Sequence, residues 1–159
     1  MLSKRVLKQC PVFEPLDEAE LEKIAGFTES RQYEAGATIF NQGTLARELF
    51  VLEKGKVALQ MQLPASRENL IKRVTVDIAT RNDLIGWSAA VGERPFSLTA
   101  VCLEPTTVAA IDGIRLKSLM QQDTRTGYHV LSRLMEVAAS RLDETRQVLV
   151  SERLSAAQT

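Results

Sequence analysis

The sequence predicts a mainly β domain, an antiparallel sandwich or barrel with a short helix before it and a long helix after it. Two observations support this expectation. From about residue 31 to residue 112, short runs rich in Val, Ile, Leu, Phe and Thr alternate with turn residues, a pattern typical of antiparallel strands. From about residue 125 to residue 153, apolar residues instead recur at helical spacing, which indicates one long helix.

The element before the strands is a helix in the stretch PLDEAELEKIAGF, residues 15–27. Asp17 and Glu20 have the spacing of a capping box, in which each side chain accepts a hydrogen bond from the other residue's backbone amide. Gly26 is a natural position for this helix to end. The apolar residues of the stretch fall on one side of the helix: Leu16, Leu21 and Ile24.

The strand region divides into apolar runs separated by turns that contain Gly36, Gly43 and Gly55. The runs are RQYEAGATIF, ELFVLEKGKVALQMQL, NLIKRVTVDIA, SLTAVCL and TTVAAID. Within KVALQMQL, apolar residues alternate with small or polar ones, which predicts a half-buried strand. The alternating apolar positions are Val57, Leu59, Met61 and Leu63, followed after the polar turn PASREN by Val74, Val76 and Ile78.

The helical region begins with a short amphipathic piece, GIRLKSLMQQ, and continues as the long helix. Along the long helix, one set of residues recurs at spacings of 4, 3, 4, 3 and 4, the pattern of a coiled-coil seam. The seam residues are Leu131, Met135, Ala138, Leu142, Thr145 and Leu149. A helix of about 28 residues is about 42 Å long, longer than one small β domain needs. The alternatives are packing on the chain's own sheet or pairing with a second copy, and we expect a two-fold homodimer.

Charge and composition exclude several kinds of partner. The chain has 20 Lys and Arg against 20 Asp and Glu residues, so no overall field attracts nucleic acid or an anionic membrane. No apolar run approaches the length of a membrane span, and no secretory signal begins the sequence. Cys10 and Cys102 lie far apart without metal-ligand spacing, as expected of reduced thiols in the cytoplasm. We therefore expect a cytoplasmic protein without a membrane partner.

The sequence offers little for catalysis or for a metal cofactor. His129 is the one histidine, too few for a cupin-like metal site, and the stretch GWSAA lacks the second Gly of the nucleophile elbow of serine hydrolases. Two cysteines cannot supply the four ligands of an iron–sulfur cluster, and His129 is expected to be a capping or surface residue rather than a haem ligand. No P-loop or Gly-x-Gly-x-x-Gly motif occurs. We predict that the chain is not an enzyme; the sequence carries no metal or iron–sulfur signature and does not identify a cofactor.

One long segment carries a family resemblance. The stretch FEPLDEAELEKIAGFTESRQYEAGATIFNQGTLARELFVLEKGKVAL resembles the start of cyclic-nucleotide-binding domains, in particular the sensor domain of Crp/Fnr-type bacterial regulators. Its most specific part is YEAGATIFNQGTLARELFVLEKGKV, where the glycines fall at the family's spacing. The resemblance extends over about residues 12–153. It implies an eight-stranded β-roll sensor domain with its helical lead, residues 1–124, and a long dimerisation helix of the same domain, residues 125–155.

The resemblance also implies a phosphate-binding cassette, in which a Gly-Glu pair opens a short helix and an Arg directly follows a Pro. In that family the helix N-terminus and the Arg hold the phosphate, and the Glu accepts a hydrogen bond from the ribose. Here Gly86 and Pro95 keep the spacing, but Trp87 stands at the Glu position and Phe96 at the Arg position. The candidate pocket residues are Gly86, Trp87, Ser88, Pro95, Phe96, Ser97 and Thr99.

The two aromatic residues change which ligand the cassette can hold. Loss of a bidentate Arg removes roughly 3–6 kcal/mol, a factor of about 10² to 10⁴ in affinity. Tight cyclic nucleotide binding by the family's usual mode is therefore not expected, although Arg94 could turn inward and supply a charge. Three alternatives are open: Trp87 and Phe96 fill the pocket and leave a scaffold, the pocket takes an apolar or aromatic effector, or a nucleotide binds weakly. Weak binding would use backbone amides of residues 86–88, the Ser97 hydroxyl and helix residues near Thr145 and Arg146.

The expected function is regulatory. The Crp/Fnr resemblance implies an effector-sensing module that signals through its dimer, and full-length members continue into a helix-turn-helix domain. This sequence ends at Thr159 without such a domain. We therefore expect a stand-alone module that acts on a partner protein and does not bind DNA itself.

Overall fold

The computed structural model describes residues 2–63 and 72–158, with side chains from residue 3 onward. In these residues the helices are α1 (Leu2–Gln9), α2 (Glu18–Ala25), α3 (Gly113–Gln122) and α4 (Thr124–Ala157). The strands are β1 (Thr28–Tyr33), β2 (Thr38–Phe40), β3 (Glu48–Lys54), β4 (Val57–Gln62), β5 (Arg73–Ala79), β6 (Leu84–Ile85), β7 (Thr99–Cys102) and β8 (Thr106–Asp112). A 3₁₀ turn, Trp87–Ala90, follows β6.

The strands form two four-stranded antiparallel sheets, with the orders β1-β8-β3-β6 and β2-β7-β4-β5. The consecutive strands β3 and β4 lie in different sheets, so the chain crosses between sheets at Gly55. Gly55 has a φ of 108°, and a Cβ there would lie 2.8 Å from the Pro105 carbonyl oxygen, so this crossing requires glycine. One contiguous core joins both sheets and the helices. The predicted β-roll with flanking helices and a long C-terminal helix is confirmed.

The N-terminal helices pack against this core. The capping box at α2 is confirmed, because the Glu20 amide donates to Asp17 and the Asp17 amide donates to Glu20, each over 2.8 Å. Gly26 caps the other end of α2, as predicted. Helix α1 was not predicted from the sequence, although two of its residues, Val6 and Leu7, are buried in the core together with Cys10, which directly follows the helix.

Burial corrects the predicted pattern of strands β4 and β5. In β4, Val57, Ala58 and Leu59 are all buried, while Met61 and the residue after the strand, Leu63, are more than two-fifths exposed. The predicted alternation is therefore wrong, since the pairing register of β4 with β5 shifts between Leu59 and Gln60 and re-aims the side chains that follow. The alternating apolar residues of β5 are about half exposed: Val74, Val76 and Ile78. The turn PASREN lies outside the described residues.

Helix α4 has 34 residues and runs past the predicted end at Arg153. Val130 and Leu134 on one side are buried against the roll. The six predicted seam residues are partly or largely exposed in the single chain: Leu131, Met135, Ala138, Leu142, Thr145 and Leu149. No described helix is long and apolar enough to cross a membrane.

The start of α4 is fastened to α2 through Thr126, which is fully buried. The Thr126 hydroxyl lies 3.0 Å from Glu20 Oε1 and 2.9 Å from Asp123 Oδ2. Its single proton is thus shared between two carboxylates, one of which, Glu20, is itself buried. This contact ties the N-terminal helices to the helix that covers the roll.

Thr126→Val is expected to lower the free energy of unfolding by about 1–3 kcal/mol, because the buried Glu20 oxygen loses its donor while the side chain keeps its shape. Chemical denaturation at fixed protein concentration measures the loss. The matched control is Thr124→Val at the exposed first residue of α4, with an expected change within about 0.5 kcal/mol. Equal losses in the two variants would contradict a structural role for the hydroxyl.

Burial also decides the chemistry of the two cysteines, which are both free and buried. Burial raises the pKa of the Cys10 thiol to about 11, and it also raises the pKa of the Cys102 thiol. Both groups are therefore protonated at neutral pH and are poor nucleophiles.

Candidate functional site

A cavity of about 610 Å³ lies between the roll and helix α4. This volume is in the range of small-molecule sites in proteins. Its floor and walls come from both sheets, from the 3₁₀ turn and from the segment before β7. The apolar and aromatic side chains that line it are Phe40, Leu59, Val74, Val76, Leu84, Ile85, Trp87, Phe96, Leu98 and Val148.

Gly86 turns the chain from β6 into the 3₁₀ turn. Its φ of 74° is left-handed, and a Cβ would lie 3.1 Å from Cε1 of Phe96 and 3.3 Å from the Glu48 carbonyl oxygen. Only glycine fits this position without strain. The turn is closed by the Ala89 amide, which donates to the Gly86 carbonyl over 3.1 Å. Gly86, Trp87 and Ser88 all line the cavity.

The two aromatic residues of the cassette do not fill the cavity. Phe96 is 6% exposed, and its ring stacks on Phe40 with a centroid distance of 4.0 Å. Phe40 in turn stacks on Phe50 at 5.7 Å, so Phe96 is drawn into the core. Trp87 is half-buried at the cavity wall. In this structure Trp87 and Phe96 therefore leave the cavity open.

The remaining cassette positions divide into two groups. Ser97 lines the cavity beside Ser88, and both place a hydroxyl at an otherwise apolar wall. Pro95 and Thr99, which were also predicted as pocket residues, do not line this cavity. Thr99 is fully buried, and its hydroxyl instead accepts a hydrogen bond from the Gln42 amide over 2.9 Å. Arg94 is exposed and does not turn inward.

The remaining wall is formed by one face of α4. The helix residues that line the cavity are Arg141, Glu144, Thr145, Val148 and Glu152. Thr145 was predicted, and its hydroxyl donates to the Arg141 carbonyl oxygen over 2.8 Å. Arg146 was also predicted but does not line the cavity. The charged members of this face were not predicted from the sequence, although their spacings of three and eight residues place them on one side of a helix.

An ion pair joins α4 to the roll at the cavity. Arg141 Nη1 donates to Asp77 Oδ2 over 2.5 Å, and both side chains are partly buried. Asp77 lies on β5, at the edge of its sheet. The pair both holds the helix over the cavity and neutralises the one positive charge among its described lining residues. The described residues contain no group of three or more His, Cys, Asp or Glu side chains suited to a metal ion.

Comparison with known proteins gives the family from the sequence and a matching fold from solved structures. A family model described as a cyclic nucleotide-binding domain matches residues 30–123. Among solved structures, a cyclic nucleotide-binding domain from Methylobacillus flagellatus superposes with a TM-score of 0.78 at 17% identity, covering 94% of this chain and 82% of that one. The sensor domain of the transcriptional regulator DNR from Pseudomonas aeruginosa superposes with a TM-score of 0.68 at 19% identity, covering 90% and 93%.

A curated relative is also similar in sequence. An isozyme 2 form of the cGMP-dependent protein kinase of Drosophila melanogaster is 27% identical over 131 residues. The match covers 82% of this chain but only 13% of the kinase, so it concerns a small part of that protein.

Proposed function

This chain belongs to the cyclic nucleotide-binding domain family, and from that premise we propose that it is a regulatory module, not an enzyme, that senses a small molecule. The cavity under α4 is the observation that carries the proposal. It is large enough for a small organic molecule, its wall is mostly apolar, and it is covered by the helix that bears the predicted dimer seam. In this proposal, residues 1–124 form the sensor domain and residues 125–155 the helix that transmits the signal.

The ligand in this proposal is an effector other than a tightly bound cyclic nucleotide. Trp87 and Phe96 stand where the family resemblance implies Glu and Arg, so neither charged contact to a ribose-phosphate is made. Phe96 is stacked on Phe40 in the core. Arg94 is exposed, so it does not supply the positive charge that is missing at position 96. The apolar walls supply binding energy through burial rather than through ion pairing.

The proposed signal passes through α4. Arg141, Thr145 and Val148 face the cavity, while Leu142 and Leu149 belong to the seam on the neighbouring face. A ligand that moves Arg141 or Thr145 also shifts the seam residues next to them. Dimer geometry and a partner protein would then receive the signal, and the module would act in the cytoplasm, where its two free cysteines stay reduced.

Titration with cyclic AMP and cyclic GMP tests the proposal. Trp87 is the one tryptophan and lines the cavity, so its fluorescence reports occupancy. We expect no saturable change below about millimolar nucleotide, since the charged contacts worth a factor of about 10² or more are missing. Saturable quenching in the micromolar range would contradict the proposal.

Weak nucleotide binding is the second candidate. Its support is that Ser88, Ser97 and Thr145 line one cavity, so hydroxyl groups and the amides of the 3₁₀ turn can face a phosphate. Saturation only at millimolar nucleotide, abolished in Ser97→Ala, would favour this candidate. Native mass spectrometry of the protein purified from its own cells separates the two further, because a retained molecule of another mass identifies a different effector.

A further inference from the structure

We infer that the cavity selects a positively charged, largely apolar molecule, a bulky amine, and disfavours anions, with Glu144 and Glu152 setting this selectivity. The inference rests on the proposed function, because it names the ligand class of the same cavity. It is carried by the combination of an apolar, aromatic chamber with the charges along its helical wall.

The walls of the chamber suit an apolar skeleton that carries a cation. Phe40, Trp87 and Phe96 line the cavity. Because Phe40 and Phe96 are stacked on each other, the half-buried Trp87 supplies the ring that a ligand can reach. Aromatic faces attract ammonium groups through their quadrupoles while they pack against alkyl carbon. The hydroxyl groups of Ser88 and Ser97 add acceptors for an ammonium proton.

The charges that line the cavity are unbalanced. Asp77 and Arg141 form an ion pair at 2.5 Å and cancel each other. Glu144 and Glu152 remain, both exposed and without an ion-pair partner among the described residues. They lie eight residues apart with Val148 between them, on one side of α4. A ligand in the cavity therefore meets two carboxylates in excess.

This arrangement inverts the charge that the family resemblance implies for the site. The position of the phosphate-binding Arg holds Phe96, and the one cation that lines the cavity among the described residues, Arg141, is already paired with Asp77. An anionic ligand would have to displace Asp77 from Arg141 and would still face Glu144 and Glu152. An amine keeps the ion pair intact and gains two favourable partners.

The size of the preference follows from electrostatics in a solvated site. A carboxylate about 6 Å from the unit charge of a ligand changes the affinity for that ligand about threefold in a water-like dielectric. Two carboxylates therefore make an amine bind about tenfold more tightly than a matched neutral molecule. They weaken the binding of a matched anion, relative to the neutral molecule, by a comparable factor. Raising the salt concentration to about 0.5 M shrinks the preference, because exposed charges are screened.

Three probes with the same adamantane cage test the inference: 1-adamantylmethylamine, 1-adamantanemethanol and 1-adamantanecarboxylate. They are transparent where tryptophan absorbs, so Trp87 fluorescence follows each titration in a low-salt buffer at pH 7. We expect the amine to bind about tenfold more tightly than the alcohol and the carboxylate to bind most weakly. In the double variant with Glu144→Gln and Glu152→Gln, most of the tenfold preference for the amine over the alcohol is expected to be lost, because only the attraction of the Trp87 ring for the ammonium group remains.

The matched control is Asp143→Asn, which removes a carboxylate next to Glu144 that does not line the cavity; it should keep the preference. If the carboxylate probe binds as tightly as the amine, or if the double variant keeps the preference, the inference is overturned while the proposed sensing function stands. If no probe changes the fluorescence of Trp87 up to the solubility limit of that probe, the cavity does not accept this ligand class and the inference again fails. The proposed function is decided independently by native mass spectrometry.

Discussion

Replacing Phe96 with alanine is expected to lower the free energy of unfolding by about 3–5 kcal/mol. The ring is 6% exposed and stacks on Phe40, which stacks on Phe50, so its removal opens a void beside Gly86 and breaks an aromatic column. Urea denaturation followed by circular dichroism measures the loss at one protein concentration, since dimerisation would make stability depend on concentration.

Two variants make this result specific to the ring. Phe96→Leu keeps most of the buried apolar volume and is expected to lose less than half as much stability. Ser97→Ala changes the next, exposed residue and should stay within about 0.5 kcal/mol of the parent. A loss below about 1 kcal/mol for Phe96→Ala would mean that the ring is not part of the core and could move within the cavity.

Phe96 shows why the family pattern located the site but did not give its shape. The spacing of Gly86, Pro95 and the small residues between them predicted where the cassette lies. The sequence could not show whether Phe96 fills the cavity or joins the core, because that depends on Phe40, more than 50 residues away along the chain. In the structure the Phe96 ring stacks on Phe40, and the cavity stays open.

Most of the fold could be predicted because its signals are local. The capping box of Asp17 and Glu20, the turn glycines and the helical period of α4 each involve residues a few positions apart. The alternation expected in β4 failed because the shift of register after Leu59 depends on the partner strand β5. Helix α1 was not predicted because it contains several basic residues and only a short apolar face, whose burial depends on contacts with the rest of the core.

The charged wall of the cavity could not be predicted from local sequence patterns either, because its residues come from distant parts of the chain. Asp77 and Arg141 are 64 residues apart, and no spacing rule connects a strand residue with a helix residue at that distance. Glu144 and Glu152 resemble ordinary solvated residues until the roll is placed beneath them. Charge inversion at the site thus becomes visible only when the helix and the sheet are seen together.

Helix α4 has a face that lines the cavity and a face that carries the predicted seam, and Thr145 belongs to both. At 100° per residue, the face with Arg141, Glu144 and Val148 is centred about a quarter of a turn from the predicted seam. The first face lies over the cavity, and the second is exposed in the single chain at Leu131, Met135, Leu142 and Leu149. An exposed apolar stripe at coiled-coil spacing on a helix of 34 residues favours a second copy of the chain as its partner.

Leu142→Asp is expected to convert a homodimer into a monomer, because a two-fold seam places the new carboxylate opposite its own copy in an apolar interface. Leu142 is half exposed in the single chain, so the variant should fold normally, with an unchanged circular dichroism spectrum. Sedimentation velocity over a range of concentrations gives the mass of each protein. Val150→Asp is the control, since Val150 is equally apolar and exposed on the same helix but lies away from the seam. A monomeric parent at high concentration, or a dimeric Leu142→Asp variant, would show that this face does not pair, and the signal from the cavity would then have to leave α4 by another surface.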